Sequence, residues 1–275
     1  MKFSKILKKN KFKILYSIIL VLTFSLFLFI VVINYELRSF ITEAKVKEVP
    51  FSSSNQAYPT LKNNSAPFIT AQGVVIMDKD SQVVLYEKNQ NLRFSPASTT
   101  KIMSALVSLE YFDADDILTV QDSSVDGSSL GLVVGEQLRF EDLLYAMMLP
   151  SANDAAKTIA DNYPGGVSAF VERMNTRAIE LGLNNTHFAD PSGLQDDKDY
   201  TTPIDLARLA SHAKNNPDFG KVVSTKNKTI KNTWGVEYRL DNLNILLNLP
   251  GVNGIKTGFT EEAGEVLVTS KKLLG

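Results

Sequence analysis

The chain has 275 residues, 44% hydrophobic and 21% charged, which is enough for one sizeable folded domain with additional segments. It contains no cysteine, which excludes disulfides, thiol nucleophiles and cysteine-ligated metals, and its two histidines argue against a histidine-rich metal site. The formal net charge is −1 and no basic patch is evident, so we expect no nucleic-acid partner, no metal and no other cofactor.

The N-terminal segment predicts a membrane anchor. Residues 1–13 are rich in lysine and contain no acid, which is typical of a cytoplasmic basic tail, and residues 14–33 carry no charge. About twenty apolar residues in a helix span a hydrocarbon core. A cleaved signal peptide is the alternative, but its apolar region is normally shorter, and no small-x-small cleavage site lies within 31–40. We therefore expect a retained, single-pass transmembrane helix in the cell membrane, with the following residues on the extracytoplasmic side.

A linker and then a folded domain are predicted after the anchor. Residues 34–66 contain clusters of Ser and Asn with little periodicity, which is typical of a linker. The domain that follows is expected to occupy residues 67–275. Its first feature is two apolar runs, 74–77 and 83–86, around a polar turn, and these predict a β-hairpin.

The next stretch, from Pro96 to Met103, predicts the start of a helix that carries a nucleophile. Apolar residues recur at helical spacing from Ile102 onward, and Pro suits the first helical position, where its missing N–H would be unpaired anyway. Ser98 and Lys101 are three residues apart and therefore share a face. Burial lowers the pKa of a lysine, and a neutral lysine can take the proton of a neighbouring serine hydroxyl. An ordinary polar pair at a helix start is the alternative, because S-x-x-K alone is frequent by chance.

The middle of the chain is expected to supply a loop and a second functional segment. Residues 113–140 are rich in Asp, Gly and Ser and are expected to form a loop over the site. Residues 140–148 predict a helix that ends before Pro150, which places Ser151 and Asn153 in a loop.

Strands at both ends with helices between them predict an α+β fold, an antiparallel sheet with a helical cluster. The later elements are predicted from periodicity and helix-start signals: helices at 167–181 and 203–213, a strand at 234–238, and a hairpin from 254–259 and 266–269.

Three short motifs occur in a fixed order: Ser98-x-x-Lys101, Ser151-Ala152-Asn153 and Lys256-Thr257-Gly258. S-x-x-K, S-D-N and K-T-G together form the signature of class A β-lactamases and penicillin-binding proteins. With matching segments such as 186–194 and 254–264, the chain resembles a D-alanyl-D-alanine carboxypeptidase of the low-molecular-weight penicillin-binding type. The resemblance implies the β-lactamase/penicillin-binding transpeptidase-like fold.

The resemblance also implies a catalytic role for three residues. Ser98 Oγ would attack a carbonyl, Lys101 would accept its proton, and Ser151 could relay that proton to the leaving amine. The oxyanion needs two N–H donors, which by resemblance are the amides of Ser98 and Phe259.

Five residues are implied in binding the substrate. Asn153 could bind the substrate's amide and hold Lys101, and Lys256 would set a positive field. Thr257 would bind the terminal carboxylate, and Gly258 lets the backbone approach the substrate. Phe259 completes the set through its amide. The implied partners are peptidoglycan stem peptides that end in D-Ala-D-Ala, with free D-Ala as product, and β-lactam antibiotics.

Two rival functions remain open at this stage. A class A-like β-lactamase needs a carboxylate that activates the deacylating water, and Glu180-x-x-Leu183-Asn184 matches its E-x-x-L-N pattern. We disfavour it because Glu180 continues the helix predicted from residue 167. A non-catalytic, membrane-anchored cell-wall-binding protein is the second rival, against which the complete set of nucleophile-site residues argues.

A Ser-His-Asp triad from His187, Asp190 and Ser192 is a further alternative. Residues this close in a turn seldom converge properly, so a turn around Pro191 to Gly193 is the preferred interpretation.

The C-terminal end is expected to lack part of the fold. After the last predicted strand, 266–269, six residues remain, whereas the enzymes that the chain resembles continue with another strand and a long helix. Without these, the hairpins at 74–86 and 256–269 would each expose an unpaired edge. We therefore expect a C-terminally truncated domain, a fragment of a longer reading frame that is unstable and poorly active by itself.

Overall fold

The computed structural model describes residues 23–26, 28–33, 68–194 and 197–272. Backbone contacts divide the chain into two units, Met1–Pro67 and Phe68–Gly275. In the first unit, the described residues are helical and exposed. Within the described ranges, no helix has the length and apolar character needed to cross a bilayer. The predicted tail at 1–13, the predicted linker at 34–66 and most of the predicted anchor at 14–33 lie outside the described residues.

The second unit combines helices and antiparallel strands, as predicted. Its helices, in chain order, are α1 (Lys101–Leu109), α2 (Phe140–Met148), α3 (Asn153–Asp161), α4 (Gly166–Glu180), α5 (Pro203–Ala213) and α6 (Pro217–Ser224), with 3₁₀ turns at Ala97–Thr100 and Ile245–Asn248. Its strands are β1 (Val74–Met77), β2 (Val84–Lys88), β3 (Ile117–Thr119), β4 (Gln137–Arg139), β5 (Asn227–Lys231), β6 (Glu237–Asp241), β7 (Val252–Thr260) and β8 (Gly264–Lys271).

The strands form separate antiparallel hairpins, and those at 74–86 and 256–269 are not joined to each other, as expected. Within the described residues, each strand pairs with its neighbour in the chain, giving β1–β2, β3–β4, β5–β6 and β7–β8. In β7–β8, Lys256 lies opposite Val268 and Thr257 lies opposite Leu267. The predicted hairpins at both ends of the domain are therefore confirmed. The strand expected at 234–238 is displaced to β6, and Trp234 lies in the turn before it.

Helix α1 is the centre of the hydrophobic core. Its side chains Ile102, Met103 and Ala105 are fully buried, and it contacts α2, α3, α4, α5 and α6. Lys101, Ser104 and Ser108, which share its polar face, are buried as well, so α1 is enclosed on every side. Burying each large side chain contributes about 1.5–3 kcal/mol, so the start of α1 is held by strong packing.

Helices α2, α4 and α5 match their predicted ranges closely. The α5 start was identified from its capping residue, and Thr202 Oγ1 does accept a hydrogen bond from the Asp205 amide at 3.2 Å. In α4 the predicted inner face is confirmed, because Phe170, Met174 and Ala178 are buried.

Five elements were not predicted, namely β3, β4, β5, α3 and α6. The 113–140 region contains β3 and β4, each of three residues, which is too short to give a periodic signal. The expectation that Asn153 lies in a loop was wrong, because it is the first residue of α3. The N-cap of α3 is Ala152, whose methyl group cannot accept a hydrogen bond, so the sequence contains no capping signal there. Helix α6 was overlooked although its signal is present: Asn216 caps it and Pro217 is its first residue.

Candidate active site

The candidate nucleophile, Ser98, lies half-buried in the 3₁₀ turn that leads into α1. The sequence predicts Pro96 as the first helical residue, but in the structure it is the N-cap of this turn. Ala97 has a φ of +46°, in the left-handed region that L-residues disfavour. A Cβ at Gly193 would lie 1.9 Å from the Ala97 carbonyl oxygen, so only glycine fits beside the turn. The turn is therefore fixed both by α1 behind it and by the loop at Gly193.

The candidate base, Lys101, is fully buried next to Ser98. Its Nζ lies 2.9 Å from Ser98 Oγ and donates to the Ser192 carbonyl oxygen at 2.8 Å. Burial lowers the pKa of Lys101 well below the usual lysine range, the charge of Lys256 lowers it further, and Asp190 acts in the opposite direction. Because neutral lysine can take a proton from serine, this pair has the geometry and the electrostatics of a nucleophile and its base.

The second lysine, Lys256, lies on β7 and is 1% exposed. Its Nζ donates to the Thr257 carbonyl oxygen at 2.9 Å, and burial lowers its pKa to about 7. A lysine with this pKa changes its charge near neutral pH. Thr257 is partly buried on the same strand, and the side chain of Phe259 is exposed.

Strand β7 runs directly against the nucleophile turn at Gly258. A Cβ at Gly258 would lie 3.1 Å from the Ser98 amide nitrogen and 3.3 Å from the Thr99 amide nitrogen. Contacts this close favour glycine, because any side chain would push the strand away from the turn. The structure thus brings the S-x-x-K and K-T-G residues together.

The third motif lies at the start of α3. Ser151 has a φ of +65°, and its buried hydroxyl has no hydrogen-bond partner among the described residues. Asn153 Nδ2 donates to the Asp126 carbonyl oxygen at 2.6 Å, and within the same described ranges its Oδ1 is also buried without a partner. Buried polar atoms are rarely left unpaired. These two atoms therefore have free capacity for a substrate or water.

A glycine connects this motif to the loop that holds Lys101. A Cβ at Gly127 would lie 3.1 Å from Asn153 Nδ2 and 3.9 Å from Leu194 Cδ2. Leu194 follows Ser192, whose carbonyl accepts the Lys101 hydrogen bond. The Ser151–Asn153 motif and the Ser98–Lys101 pair are thus held by two loops that approach each other at Gly127 and Leu194.

The loop at Asp190 is a functional element that sequence reasoning placed only as a turn. The Asp190 carboxylate accepts hydrogen bonds from the Ser192 amide at 2.6 Å, the Gly193 amide at 2.8 Å and the Leu194 amide at 2.9 Å. Such a turn is typical of Asp followed by Ser and Gly. Its result is that the Ser192 carbonyl points at Lys101, which the turn composition alone could not reveal.

The His187 triad that the sequence left open is wrong. His187 Nδ1 lies 3.2 Å from the Lys198 carbonyl oxygen, and the His187 ring stacks on Tyr200. The Ser192 hydroxyl donates to Asp190 at 2.5 Å, so the serine and the carboxylate bond to each other without the histidine between them.

The carboxylate on which the β-lactamase alternative depended lies on the surface. Glu180 is the last residue of α4 and forms ion pairs of 2.8 Å with Arg173 and Arg177. These ion pairs hold the Glu180 carboxylate at the surface of the domain. Among the residues that the structure describes, no cluster of three or more His, Asp or Glu side chains could hold a metal ion.

Comparison with known proteins identifies relatives of the domain. The profile of the family described as D-alanyl-D-alanine carboxypeptidase matches residues 60–273, which include all three motifs. The D-alanyl-D-alanine carboxypeptidase DacF of Bacillus subtilis is 35% identical over 74% of this chain and 54% of its own length. The D-alanyl-D-alanine carboxypeptidase of Streptomyces sp. strain K15 is 38% identical over 74% of this chain and 76% of its own length. The chain thus spans about half the length of the Bacillus relative.

A solved structure supports the fold. The crystal structure of the Streptomyces K15 DD-transpeptidase superposes with a TM-score of 0.73 at 36% identity, covering 76% of this chain and 88% of that chain. The described residues of the second unit therefore have the penicillin-binding DD-peptidase fold that the motifs predicted.

Proposed function

This chain belongs to the D-alanyl-D-alanine carboxypeptidase family, and from that premise we propose that it removes the terminal D-Ala of peptidoglycan stem peptides. The reaction runs through an acyl-enzyme on Ser98. The observation that carries the proposal is the 2.9 Å contact between Ser98 Oγ and Lys101 Nζ, with the lysine fully buried and its pKa lowered. The chain would thereby act in peptidoglycan biosynthesis.

Acylation begins when Ser98 Oγ attacks the carbonyl carbon between the two D-Ala residues. Lys101, in its neutral form, takes the hydroxyl proton, and the negative charge moves to the carbonyl oxygen. The amides of Ser98 and Phe259 are proposed to stabilise this oxyanion. The C–N bond then breaks, and the leaving amine of D-Ala receives the proton from Lys101, with Ser151 as relay. The unpaired Ser151 hydroxyl supports that relay role.

Deacylation uses the same base. A water molecule attacks the ester carbonyl of the acyl-enzyme and Lys101 takes its proton. The bond to Ser98 Oγ then breaks, and Lys101 returns the proton to Oγ, which restores the hydroxyl. The hydrogen bond from Lys101 to the Ser192 carbonyl keeps the lysine in place when its bond to Ser98 Oγ is lost. One residue thus acts as base and then as acid in each step.

Substrate recognition is proposed to depend on β7 and α3. Lys256 supplies positive charge, and Thr257 binds the terminal carboxylate of the substrate. Gly258 allows the peptide backbone to approach Ser98, as its own short contacts with that turn suggest. Asn153 Oδ1, which is buried and unpaired in the described part of the chain, would accept the amide N–H of the substrate.

Acylation of Ser98 by β-lactams follows from the same chemistry, because the strained amide of the drug takes the place of the D-Ala-D-Ala bond. The surface ion pairs of Glu180 leave the site without the carboxylate that a class A β-lactamase would use at this position. We therefore expect the penicilloyl-enzyme to be long-lived.

Intact-mass measurement of the full chain in detergent micelles after incubation with penicillin tests the proposal. We expect one adduct per chain, located on Ser98 by peptide mapping, lost in Ser98→Ala and retained in Ser224→Ala. Ser224 is a suitable control because it is exposed on α6. An adduct on another residue, or none on folded wild-type chain, would falsify the assignment. Rapid, repeated turnover of nitrocefin would favour a β-lactamase.

We also propose that residues 14–33 anchor the chain in the cell membrane, with the catalytic domain on the extracytoplasmic side. The support is the uncharged run of residues after a lysine-rich tail. Membrane fractionation and N-terminal sequencing test it, and a mature N-terminus after about residue 35 would contradict it.

A further inference from the structure

A buried carboxylate adjoins the substrate-binding asparagine, and the proposed reaction does not use it. Asp154, the second residue of α3, is 0% exposed. Its carboxylate accepts hydrogen bonds from Ser129 Oγ at 2.7 Å, from the Leu130 amide at 3.0 Å and from the Leu132 amide at 3.0 Å. All three donors belong to one loop, residues 126–132, which lies more than twenty positions earlier in the chain.

These bonds have a strong energetic reason to persist. A carboxylate that is removed from water must have its oxygens satisfied by donors, and charge-assisted hydrogen bonds are about twice as strong as neutral ones. The Ala155 amide supplies a further donor at 2.9 Å from within α3. If the loop moved away, Asp154 would lose three of these donors. The loop is therefore fastened to the first turn of α3.

The same loop holds Asn153 at two points. The Asn153 amide donates to the Ser128 carbonyl oxygen at 2.7 Å, and Asn153 Nδ2 donates to the Asp126 carbonyl oxygen at 2.6 Å. The second bond fixes the rotation of the side-chain amide about its last torsion. Asn153 Oδ1 consequently faces away from Asp126 and, among the described residues, stays buried without a partner.

We propose that Asp154 is a positioning residue for the acyl-transfer site. By fastening residues 126–132, it places the two carbonyl oxygens that orient Asn153, so that Oδ1 is presented to the substrate's amide N–H. This inference rests on the proposed function, in which Asn153 binds that amide. Asp154 itself touches neither the substrate nor Ser98; it acts through the loop and through Asn153.

A double-mutant cycle on the full chain in detergent micelles tests the inference, with the rate of Ser98 acylation by a fluorescent penicillin as readout. Asp154→Asn keeps the size of the side chain but replaces one carboxylate oxygen by an NH₂ group, which cannot accept a hydrogen bond from the loop. We expect it to slow acylation roughly tenfold to a hundredfold, because a displacement of about 1 Å in a site can cost that much. In an Asn153→Ala background, Asp154→Asn should change the rate by no more than about a factor of two.

Two further variants separate positioning from a general loss of stability. Asp161→Asn breaks the 2.9 Å ion pair with Lys157 at the other end of α3 and should leave acylation unchanged. Ser129→Ala removes one donor to Asp154 from the loop side. It should slow acylation about threefold to tenfold, again only when Asn153 is present. If Asp154→Asn does not fold, the Ser129→Ala cycle decides the question.

Each outcome has a distinct meaning. Equal slowing by Asp154→Asn with and without Asn153, or no slowing in the wild-type background, overturns the positioning role while Ser98 acylation by wild type still supports the proposed function. If wild-type Ser98 is not acylated, the proposed function fails and this inference fails with it. If Asn153→Ala alone leaves acylation unchanged, the role of Asn153 is wrong, and Asp154 has no site to position.

Discussion

The two lysines of the site are both buried, but the regions that hold them differ. Lys101 begins α1, which contacts the five other described helices of the domain and is buried from Lys101 to Ser108. Lys256 lies on the β7–β8 hairpin, where neighbouring side chains such as Phe259 and Leu267 are 67% and 51% exposed. The residues proposed to form and break bonds are thus fixed by the core, whereas those proposed to recognise the substrate's carboxylate are carried by a half-exposed hairpin. Substitutions in the two regions should therefore impair different properties, the acylation rate in one region and substrate recognition in the other.

The largest effect is expected on the core side of this comparison. Lys101→Met should slow acylation by about 10²–10⁴-fold, because the general base is lost. The same variant should melt at the same or a higher temperature than wild type, because an apolar side chain of similar size replaces a buried amine. Penicillin-labelling kinetics and a thermal melt of each variant measure both quantities. A large fall in melting temperature would mean that Lys101 stabilises the core more than it serves catalysis.

A substitution on the hairpin is expected to cause a smaller loss, and in substrate binding rather than in the rate of bond formation. Lys256→Met should weaken recognition of the substrate carboxylate by roughly ten- to a hundredfold, the range for a lost hydrogen bond to a charged group. The loss should appear mainly in KM rather than in kcat, measured with a peptide ending in D-Ala-D-Ala. Equal losses of acylation rate from Lys101→Met and Lys256→Met would show that the two roles are divided wrongly.

One carbon atom added at Gly258 should widen the contact between the hairpin and the nucleophile turn. In Gly258→Ala, the new Cβ would lie 3.1 Å from the Ser98 amide, and since the turn is fixed by the core, we expect the hairpin to move. Acylation should slow by about tenfold, with the melting temperature little changed. Gly220→Ala on α6 is the matched control. Its Cβ would meet nothing closer than 3.8 Å, and it should stabilise that helix by up to about 1 kcal/mol without affecting labelling.

The smallest and most graded effect is the response to pH. Lys256 must be charged to attract a carboxylate and its pKa is lowered to about 7, so carboxylate recognition should weaken as the pH rises through about 7. Lys101 must be neutral to act as base, and burial, which lowers its pKa, favours the neutral form. The profile of kcat/KM against pH should therefore fall on its alkaline side near 7. In Lys256→Met that alkaline fall should disappear; if it persists unchanged, another group controls it.

The same lowered pKa has a predictable effect on folding. The unfolded chain, where lysine has its ordinary pKa of about 10.4, binds more protons than the folded chain between pH 7 and that value. Stability should therefore rise with pH across this window and be lower below it. Lys256→Met should flatten the rise, which denaturant titrations at several pH values would measure. An unchanged slope would mean that Lys256 remains charged in the folded domain.

Much of the nucleophile region could be predicted because its signals are local. Ser98 and Lys101 are three residues apart on one helix face, and the apolar run that follows them identifies a core helix. The K-T-G strand and its partner were likewise recognisable as two apolar runs around a turn. In each case the information lies within about a dozen residues of sequence.

The parts that were missed depend on contacts between distant segments. Nothing next to Asp190 indicates that the turn it forms aims the Ser192 carbonyl at Lys101, and nothing next to Asp154 indicates which loop it binds. The start of α3 is hidden because Ala152 cannot cap it. Side-chain bonds to remote backbone have no periodic trace in the sequence, and so they appear only when the chain is folded.

The enclosure of α1 also determines how the domain opens. An amide in the middle of a helix surrounded by five others exchanges its hydrogen with solvent through unfolding of the whole domain, whereas amides of a half-exposed hairpin exchange through local opening. In deuterium-exchange mass spectrometry, residues 103–109 should therefore remain protected long after residues 264–271 have exchanged. During such an opening Ser98 and Lys101 stay together, while the strand that carries K-T-G is detached from them. The domain should thus pass through a state that keeps Ser98 beside Lys101 but lacks the residues proposed to bind the terminal carboxylate and the Phe259 amide proposed for the oxyanion.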